Sequence, residues 1–473
     1  MLSSAMNFPH WDLGGINSGL LIAVIAATHV FVAQFAVGGG FFLVMAEYKG
    51  HREGSRHILA WVQRHTRFFL LLTMVVGSMT GVGIWLAISL TAPAGTSLLI
   101  REFVYAWAAE WVFFLAEILT LLLYAASFPR TLKGQMPVRD HLLLGVWYAV
   151  FAFLSLCVIN GIISFMLTPG MWLQNGSFWS AFFNPTYWPA LLFRFGLSLC
   201  LAGMFGLITT GAIKHEETRE NMVRFCARWI CLPFVLMLLG SIWYVAALPE
   251  DIRALMQRTT DDIRPFVRSF LYVSPVLFLA GMFLFIRLPR KAYPPYVAVV
   301  LVLGLISAGS FEFIRESARR PWLIHGHMYS NGITVQDGQR INAEGILATS
   351  GWARLRGGLS DAAAPNLALA KPSAAPVAHD SGQAPALLAS LSPSGRAQFG
   401  RFIYVQQCSS CHGLGGPRLD LLPRVKDRGV QGVAALLAAQ GIISPYMPPF
   451  FGTAEERLFF AQWLVGLEAL PRE

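Results

Sequence analysis

Five consecutive residues near the carboxyl end carry the most specific chemical signal in the sequence. Cys408-Ser409-Ser410-Cys411-His412 has the C-x-x-C-H spacing, in which two thiols bond to a porphyrin edge and the adjoining histidine binds its iron. About 35 residues later, Met447 lies between prolines in Pro445-Tyr446-Met447-Pro448-Pro449. Met447 could simply fill a core, but a rigid loop favours an iron ligand, and His with Met is a common axial pair. The sequence predicts a covalent haem c on Cys408 and Cys411, with His412 and Met447 as axial ligands.

The composition indicates a membrane protein rather than a soluble one. Hydrophobic residues make up 55% of the sequence and charged residues only 13%, with a mean hydropathy of +0.53. Eight apolar runs each reach roughly the 20 residues that span a hydrocarbon core as a helix. They fall at about 18–46, 68–92, 103–128, 141–166, 189–213, 227–247, 269–288 and 296–314. The net charge of +10 does not indicate a nucleic-acid partner, because the basic residues lie mostly between these runs.

The loops between the runs alternate in charge. Lys and Arg concentrate in loops 47–67, 129–140 and 214–228, whereas loop 167–188 carries no charged residue. Because basic loops tend to stay in the cytoplasm, this pattern places both ends of the chain outside it. Haem c is attached on that same side, so two independent arguments agree. We therefore expect a multi-pass protein of the bacterial inner membrane, surrounded by the lipid bilayer, with its carboxyl-terminal domain in the periplasm.

The predicted fold is all-α, a polytopic membrane bundle of about eight helices followed by a small helical cytochrome c domain. The membrane domain is expected at 1–335, a periplasmic extension with a flexible linker at 336–393, and the cytochrome c domain at 394–473. Residues 357–393 are rich in Ala, Pro and Ser without periodicity, which is typical of linkers. The first apolar run is expected to be an uncleaved signal anchor, since no basic n-region or cleavage site precedes it.

Ionisable residues lie inside the first and third apolar runs, where charge is costly and usually functional. His29 lies in the middle of the first run. A hydrogen bond to a neighbouring helix would explain it, but a haem protein favours iron ligation. Glu110 and Glu117 are seven residues apart in the third run, so both carboxyls share one helix face about 10 Å apart. They are either interhelical hydrogen-bonding groups or, as we expect, a haem ligand and a proton-conducting carboxyl.

A second set of ionisable residues ends the eighth run. Glu312 and Glu316 are one helical turn apart and lie close in sequence to Arg315, Arg319 and Arg320. These arginines could neutralise the carboxylates, or they could bind haem propionates, because a guanidinium matches a carboxylate as a fork.

Other polar residues lie in or beside the later runs. Arg194 in the fifth run requires a buried anion, for which a haem propionate is the economical partner. Trp322 and Tyr329 suit an interfacial aromatic belt. Three histidines flank the runs and are expected near the aqueous boundary rather than as iron ligands, namely His65, His325 and His327.

These residues together resemble subunit I of the cytochrome bd-type oxidases, membrane proteins with three haems and a quinol site. The segment that contains Glu316, Arg319, Arg320 and Trp322 is similar to that family's E-x-x-R-x-P-W motif. The first run and the paired carboxyls of the third run resemble family helices in the same order, although the family's carboxyl spacing is one residue longer. The likeness covers roughly residues 15–335.

The resemblance implies roles for the polar residues of the runs. It implies one or two high-spin haems of b or d type, with His29 and Glu316 holding the irons and Glu110 as a ligand or close partner. Glu117 and Glu312 are then expected to transfer protons. Four residues are expected to contact the haem groups, namely Arg194, Arg319, Arg320 and Trp322.

Two departures from the family shape the expected function. Where the family has a histidine for a low-spin haem b, this sequence has Phe193-Arg194, and the quinol-binding loop is reduced to about 248–268. The haem c domain offers another route for electrons. We therefore expect a respiratory membrane haem protein that takes electrons from a soluble periplasmic donor and reduces O₂, and that is not a quinol oxidase.

Two alternatives remain open from the sequence. The first is a non-oxidase subunit that carries electrons between membrane quinol and periplasmic acceptors. The second is a haem-poor scaffold that anchors cytochrome c in a larger assembly. In each case the expected partner is a second bd-like membrane subunit or a larger respiratory complex.

Overall fold

The structure is a computed structural model that describes residues 8–257, 263–286, 293–359, 383–417 and 419–468. Within these residues the fold is helical apart from one two-stranded antiparallel hairpin, which confirms the predicted all-α class. Up to the eighth span the helices are α1 (Ser18–Arg52), α2 (Arg56–Leu71), α3 (Ser78–Thr91), α4 (Pro93–Glu102), α5 (Val104–Leu132), α6 (Val138–Phe165), α7 (Trp172–Asn175), α8 (Phe178–Phe182), α9 (Tyr187–Thr210), α10 (Glu216–Ala247), α11 (Glu250–Gln257), α12 (Arg264–Ile286) and α13 (Tyr293–Ala318). Beyond it follow β1 (Trp322–Ile324), β2 (Met328–Tyr329), α14 (Val335–Glu344), α15 (Ile346–Thr349), α16 (Gly351–Arg356), α17 (Gln383–Ala389), α18 (Pro393–Gln407), α19 (Leu422–Val425), α20 (Gly429–Ile443) and α21 (Ala454–Glu468).

Eight helical segments in the described part of the chain are long and apolar enough to cross a membrane. They correspond in order to the eight predicted runs, and the chain is a multi-pass membrane protein. Helices α2 and α3 form one span, Arg56–Thr91, joined by a π-helical turn at Leu72–Gly77.

The predicted loop 47–67 is mostly helix. Helix α1 continues to Arg52 and α2 begins at Arg56, so only a short turn separates the first two spans. The prediction was wrong because an apolar run marks the part of a helix inside the hydrocarbon, whereas an amphipathic helix extends beyond it. Helix α2 buries Trp61 and His65 on one face. His65, expected near water, is fully buried.

The described structure divides into two compact units. The first unit joins the residues up to Val24, the segment Trp85–Arg101 and the chain from Arg319 onward. The second unit comprises Ile25–Ile84 and Glu102–Ala318. The division by packing therefore runs across the boundaries at 335 and 393 that composition suggested.

The core of the second unit is built around α9, the most enclosed span, with 78% of its apolar stretch buried. Glycines let its neighbours approach closely. A Cβ at Gly203 would lie 2.7 Å from Cys226 O of α10, and a Cβ at Gly38 of α1 would collide with Ser198 O. Small residues at such crossings are typical of packed membrane helices.

The core of the first unit joins the last helices to the segment that follows the hairpin. Ile346 and Leu347 are fully buried in the same cluster as Phe399. The buried carboxylate of Glu456 accepts hydrogen bonds from Ile346 N at 2.8 Å and Leu347 N at 3.0 Å. Glu456 also forms a capping box with Thr453, with reciprocal bonds of 3.1 and 3.2 Å. This one carboxylate therefore ties the start of α15 to the start of α21.

Candidate haem-binding sites

The C-x-x-C-H sequence forms a single tight turn at the end of α18. Cys411 N and His412 N both donate to Cys408 O, at 3.0 and 2.9 Å. The Tyr404 hydroxyl donates to His412 O at 2.8 Å, which fixes the turn to its helix. Neither cysteine is in a disulfide. Burial raises the pKa of the Cys408 thiol to about 12, and the neighbouring Cys411 adds to the shift. The structure thus brings together the three residues predicted to attach haem c.

One hydrogen bond of the His412 ring indicates which of its nitrogens carries the hydrogen. Its Nδ1 lies 2.9 Å from Leu419 O. Because a carbonyl oxygen only accepts, Nδ1 carries the hydrogen and the lone pair of the neutral ring is on Nε2. A backbone carbonyl commonly orients a metal-binding histidine through its other nitrogen. The residues of this turn therefore fit a covalent haem c.

Met447 lies in the irregular segment between α20 and α21. Its N–H donates to Ser444 O at 3.1 Å, and Gln440 Nε2 donates to Pro448 O at 2.7 Å. The segment is therefore fixed on both sides of Met447, whose side chain is half-buried. Its role as the second axial ligand stays a prediction.

Backbone hydrogen bonds fix the C-x-x-C-H turn, which is predicted to bind haem and is called the haem-binding turn below, to the residues that precede α1. Ser18 N donates to Ser409 O at 2.8 Å, and Leu414 N donates to Gly15 O at 3.1 Å. The middle of the predicted linker, 360–382, lies outside the described residues. Within the first unit, the position of the turn is therefore set by direct contacts with the amino-terminal segment.

An ion pair and a close glycine contact reinforce this docking. Arg401 donates from Nε and Nη2 to the two carboxylate oxygens of Asp12, at 2.6 and 2.5 Å, a bidentate geometry. Arg401 Nη2 also donates to Gly14 O at 2.5 Å. A Cβ at Gly19 would collide with Ser410 O, so the first turn of α1 and the haem-binding turn are in direct contact.

Arg194, Glu312 and Arg315 form a buried charge cluster in the second unit. Arg194 is 5% exposed, and its Nη1 lies 3.9 Å from Glu312 Oε1. Arg315 Nε donates to Glu312 Oε2 at 2.9 Å, and Glu316 is also near Arg315. Glu312 supplies a buried anion for Arg194, and the contact of Arg194 with a haem propionate stays a prediction. Tyr244 borders the cluster beside a cavity of about 20 Å³, which is enough for one water molecule.

His29 packs against α3. Its Nδ1 lies 3.1 Å from Thr80 Oγ1, and Gly81 leaves room for the ring, since a Cβ there would lie 3.1 Å from His29 Cε1. Thr80 uses its single hydroxyl hydrogen on Val76 O, at 2.6 Å, so it accepts from His29. Nδ1 is therefore the protonated nitrogen, and Nε2 carries the lone pair that an iron would need.

Glu110 and Glu117 both lie on α5 and are half-buried. The Glu117 carboxyl lies beside the hydroxyl of Tyr148 on α6. The Tyr148 hydroxyl also donates to Ala36 O of α1 at 2.9 Å. This hydroxyl of α6 therefore contacts polar groups of both α5 and α1. The arrangement suits a carboxyl that holds a proton.

The segment after α13 places the remaining predicted residues. Arg319 and Arg320 directly follow the helix, and Trp322 N donates to Arg319 O at 2.9 Å. Trp322 pairs with Tyr329 across the hairpin, with the two rings stacked at 4.3 Å. The structure therefore places Trp322 in an aromatic pair, and its contact with haem stays a prediction.

Sequence reasoning did not identify the groups that orient these side chains. Two of these groups, Thr80 and Tyr148, are remote in sequence from the residues that they contact. The third, Leu419, lies in a loop without a recognisable pattern. Thr80 and Tyr148 had a signal, because each is a polar residue within an apolar run.

The order of the spans and their packing can be compared with solved structures. The fold is similar to that of a bd oxidase. A chain of the bd oxidase from Geobacillus thermodenitrificans superposes with a TM-score of 0.57 at 17% identity, over 70% of this chain and 94% of that chain. At this identity the likeness to the bd oxidase concerns the fold alone. No protein-family profile and no curated protein matches the sequence.

The likeness to the bd oxidase agrees with the resemblance that the motifs suggested. It concerns the path of the backbone, so the roles of His29, Glu110 and Glu316 stay predictions.

Proposed function

We propose that this chain is a respiratory membrane haem protein, built as a bd-like oxidase, that passes electrons between a covalent haem c and one or two high-spin haems in the bundle. The observation that carries the proposal is the C-x-x-C-H turn with the His412 ring bonded to Leu419 O. Bound haem groups would supply one-electron transfer and O₂ chemistry. The bd oxidase-like fold supports the part of the proposal that concerns the membrane bundle.

Within the bundle, His29 and Glu316 are the proposed iron ligands. The bond from His29 Nδ1 to Thr80 supports this role because it fixes the ring with Nε2 as the acceptor nitrogen. Glu117 is the proposed proton carrier, since it lies inside a span next to the Tyr148 hydroxyl. A hydroxyl can orient the carboxyl and relay its proton.

The proposed electron donor is a soluble periplasmic carrier rather than a quinol. The place of the family's low-spin haem ligand is taken by side chains that already have partners. Phe193 stacks on Phe311 with ring centroids 4.0 Å apart, and Arg194 pairs with Glu312. A guanidinium in an ion pair cannot replace a neutral imidazole as an iron ligand. Haem c on the periplasmic side is therefore the proposed point where electrons are received.

The apolar outer surface of the bundle supports the proposed surroundings. On α5, Trp111 is 63% exposed and Leu115 is 57% exposed. Side chains of this kind require lipid or another membrane subunit as a neighbour. We propose that the bilayer and a second bd-like membrane subunit cover them.

Spectra of the purified full-length protein test the proposal. Reduced-minus-oxidised difference spectra should contain a c-type signal and a further signal that changes with CO, because a high-spin haem leaves a position open for a gas. The double variant Cys408→Ala with Cys411→Ala should lose covalent haem on a denaturing gel and keep the CO-sensitive signal. Cys157→Ala, in a span, is the matched control. A c-type signal without any CO-sensitive component would contradict the oxidase.

Oxygen consumption tests the donor. The purified protein should consume O₂ with a reduced soluble cytochrome or a small dye, and it should ignore ubiquinol and menaquinol analogues. Equal turnover with quinol that is insensitive to replacement of Met447 would contradict this part of the proposal.

A further inference from the structure

A second buried polar cluster lies where α1, α5 and α6 meet, and the proposed function does not use it. Glu47 of α1 and His141 of α6 are both fully buried. His141 Nδ1 lies 2.7 Å from Glu47 Oε1, and the Tyr124 hydroxyl of α5 donates to Glu47 Oε2 at 2.7 Å. A buried carboxyl is costly unless its oxygens are hydrogen-bonded. Here both oxygens have a partner.

The hydrogen bonds of His141 determine where its protons are. Its Nε2 lies 3.0 Å from Tyr124 O, and because a carbonyl only accepts, Nε2 carries a hydrogen. The bond between Nδ1 and Glu47 then needs one more proton, which belongs either to the imidazole or to the carboxyl. Without it, two lone pairs would face each other at 2.7 Å. The pair therefore shares one proton.

One contact joins the Glu47–His141 pair to a side chain that is partly exposed. His51 lies one turn beyond Glu47 on α1 and places its Nε2 3.3 Å from Glu47 Oε1. The His51 side chain is 22% exposed, whereas that of Glu47 is 0% exposed. His51 lies between Lys49 and Arg52, in the basic segment that the charge pattern assigns to the cytoplasm. An imidazole can accept a proton on one ring nitrogen and release one from the other, so His51 is suited to connect the buried carboxyl with that side.

The groups that face Glu47 come from the helices packed around it. They are His51 from α1, Tyr124 from α5 and His141 from α6, with the uncharged Thr66 of α2 beside Tyr124. The cation nearest along α1, Lys49, is engaged with Glu53. The proton of the cluster is therefore shared between Glu47 and His141.

The cluster is one of two polar pairs that lie between α5 and α6. Tyr124 follows Glu117 by seven residues on α5, and Tyr148 follows His141 by seven on α6. The two helices run in opposite directions, so Tyr124 stacks on His141, with ring centroids 4.4 Å apart, and Glu117 lies beside Tyr148. Seven residues make two turns, so the two pairs are about 10 Å apart along the helices.

We propose that Glu47 and His141 form a proton-binding site that exchanges with the cytoplasmic side through His51 and holds the proton destined for Glu117. The site is argued from its own contacts, and the destination of the proton rests on the proposed function. If the cluster only stabilised the packing of three helices, apolar side chains of the same shape would do so equally well. It would not need an imidazole at the boundary with water.

Infrared spectroscopy of the purified full-length protein tests the site without using turnover. Difference spectra between acidic and alkaline buffer should contain a buried carboxyl or carboxylate band that vanishes in Glu47→Gln. Glu53→Gln is the matched control, since this residue lies at the same helix end and is exposed. Absence of the band from the wild type, or its persistence in Glu47→Gln, would overturn the proposal.

The route is tested by the rate at which that band shifts after transfer into D₂O. His51→Gln should slow the shift on the order of tenfold or more, because an amide cannot relay a proton as imidazole does. His57→Gln, at an exposed histidine of the next helix, should exchange like the wild type. Equal rates in the two variants would refute the route through His51. If the protein lacks a CO-sensitive haem, the proposed function fails, yet these two infrared results still decide the site.

Discussion

Removal of the Asp12–Arg401 ion pair should loosen the haem-binding turn from the start of α1 while the first unit stays folded. Asp12→Ala removes two charge-assisted hydrogen bonds, of 2.6 and 2.5 Å, and the bond from Gly14 N to Asp12 Oδ1 at 3.0 Å. The two side chains are 32% and 40% exposed, so solvent screening limits the pair to about 0.2–1 kcal/mol. With about 1 kcal/mol for the bond to Gly14 N, docking should weaken by about 1–2 kcal/mol.

Amide hydrogen exchange measures this loss locally. Ser18 N and Leu414 N donate across the docking contact, so each exchanges only when the contact opens. A loss of about 1–2 kcal/mol corresponds to roughly 5- to 30-fold faster exchange at these two amides. Glu455→Ala removes an exposed carboxylate of the same unit and should leave both rates unchanged. Unchanged rates in Asp12→Ala, or equal acceleration in the control, would refute the reasoning.

The same pair predicts a pH dependence of docking. Burial by itself raises the pKa of Asp12, but the hydrogen bond and charge of Arg401 outweigh it, so the pKa lies below its ordinary value. A carboxyl with a lowered pKa in the folded state stabilises that state above its ordinary pKa. The contribution is lost as the pH falls through the lowered value. Docking should therefore be insensitive to pH near neutrality and weaken in acid, and Asp12→Asn should remove this dependence.

Three further substitutions test contacts in the two units. Gly19→Ala should displace the haem-binding turn, because a Cβ would collide with Ser410 O, and amide exchange at the docking contact should accelerate. Glu456→Gln should lower the unfolding free energy of the first unit by about 2–3 kcal/mol in denaturant, because an amide cannot accept from three backbone N–H groups. Glu312→Leu should cost about 3–5 kcal/mol, seen as a lower thermal midpoint, because it leaves the buried Arg194 without its carboxylate.

Each of these substitutions has a control at a position with fewer contacts. Gly309→Ala adds a Cβ with no atom within 4 Å. Glu455→Gln changes the exposed neighbour of Glu456, and Glu250→Leu removes an exposed carboxylate from α11. If a test variant behaves like its control, the contact assigned to it contributes no stability.

The features that the sequence could predict are those whose residues are adjacent or regularly spaced. The C-x-x-C-H turn is formed by five consecutive residues, and the capping box of α21 by two residues three apart. The eight spans follow from runs of apolar residues, since a helix must satisfy its backbone inside a bilayer. For these features the local chain is sufficient.

The partners of buried polar groups could not be predicted in the same way. Which residue faces Arg194 depends on the rotation of α9 relative to α13, and the sequence of neither helix contains that rotation. Glu47 was assigned to a cytoplasmic loop because the first apolar run ends just before it. Only the packing of three helices reveals that it is buried against His141. Seven-residue spacings of polar groups on neighbouring runs were the available signal.

The start of α1 gives a physical reason why the haem-binding turn docks in one register. The first N–H groups of a helix have no partner within the helix. Ser18 is only 4% exposed, so water does not readily replace a partner for its amide. That partner is Ser409 O of the haem-binding turn, while Leu20 N is satisfied by Asn17 Oδ1 at 2.7 Å. Loss of the contact would leave a buried donor unsatisfied, at about 1–3 kcal/mol. A tether can keep a domain nearby, but this amide is satisfied in only one position of the turn, so docking of the turn and capping of α1 are a single event.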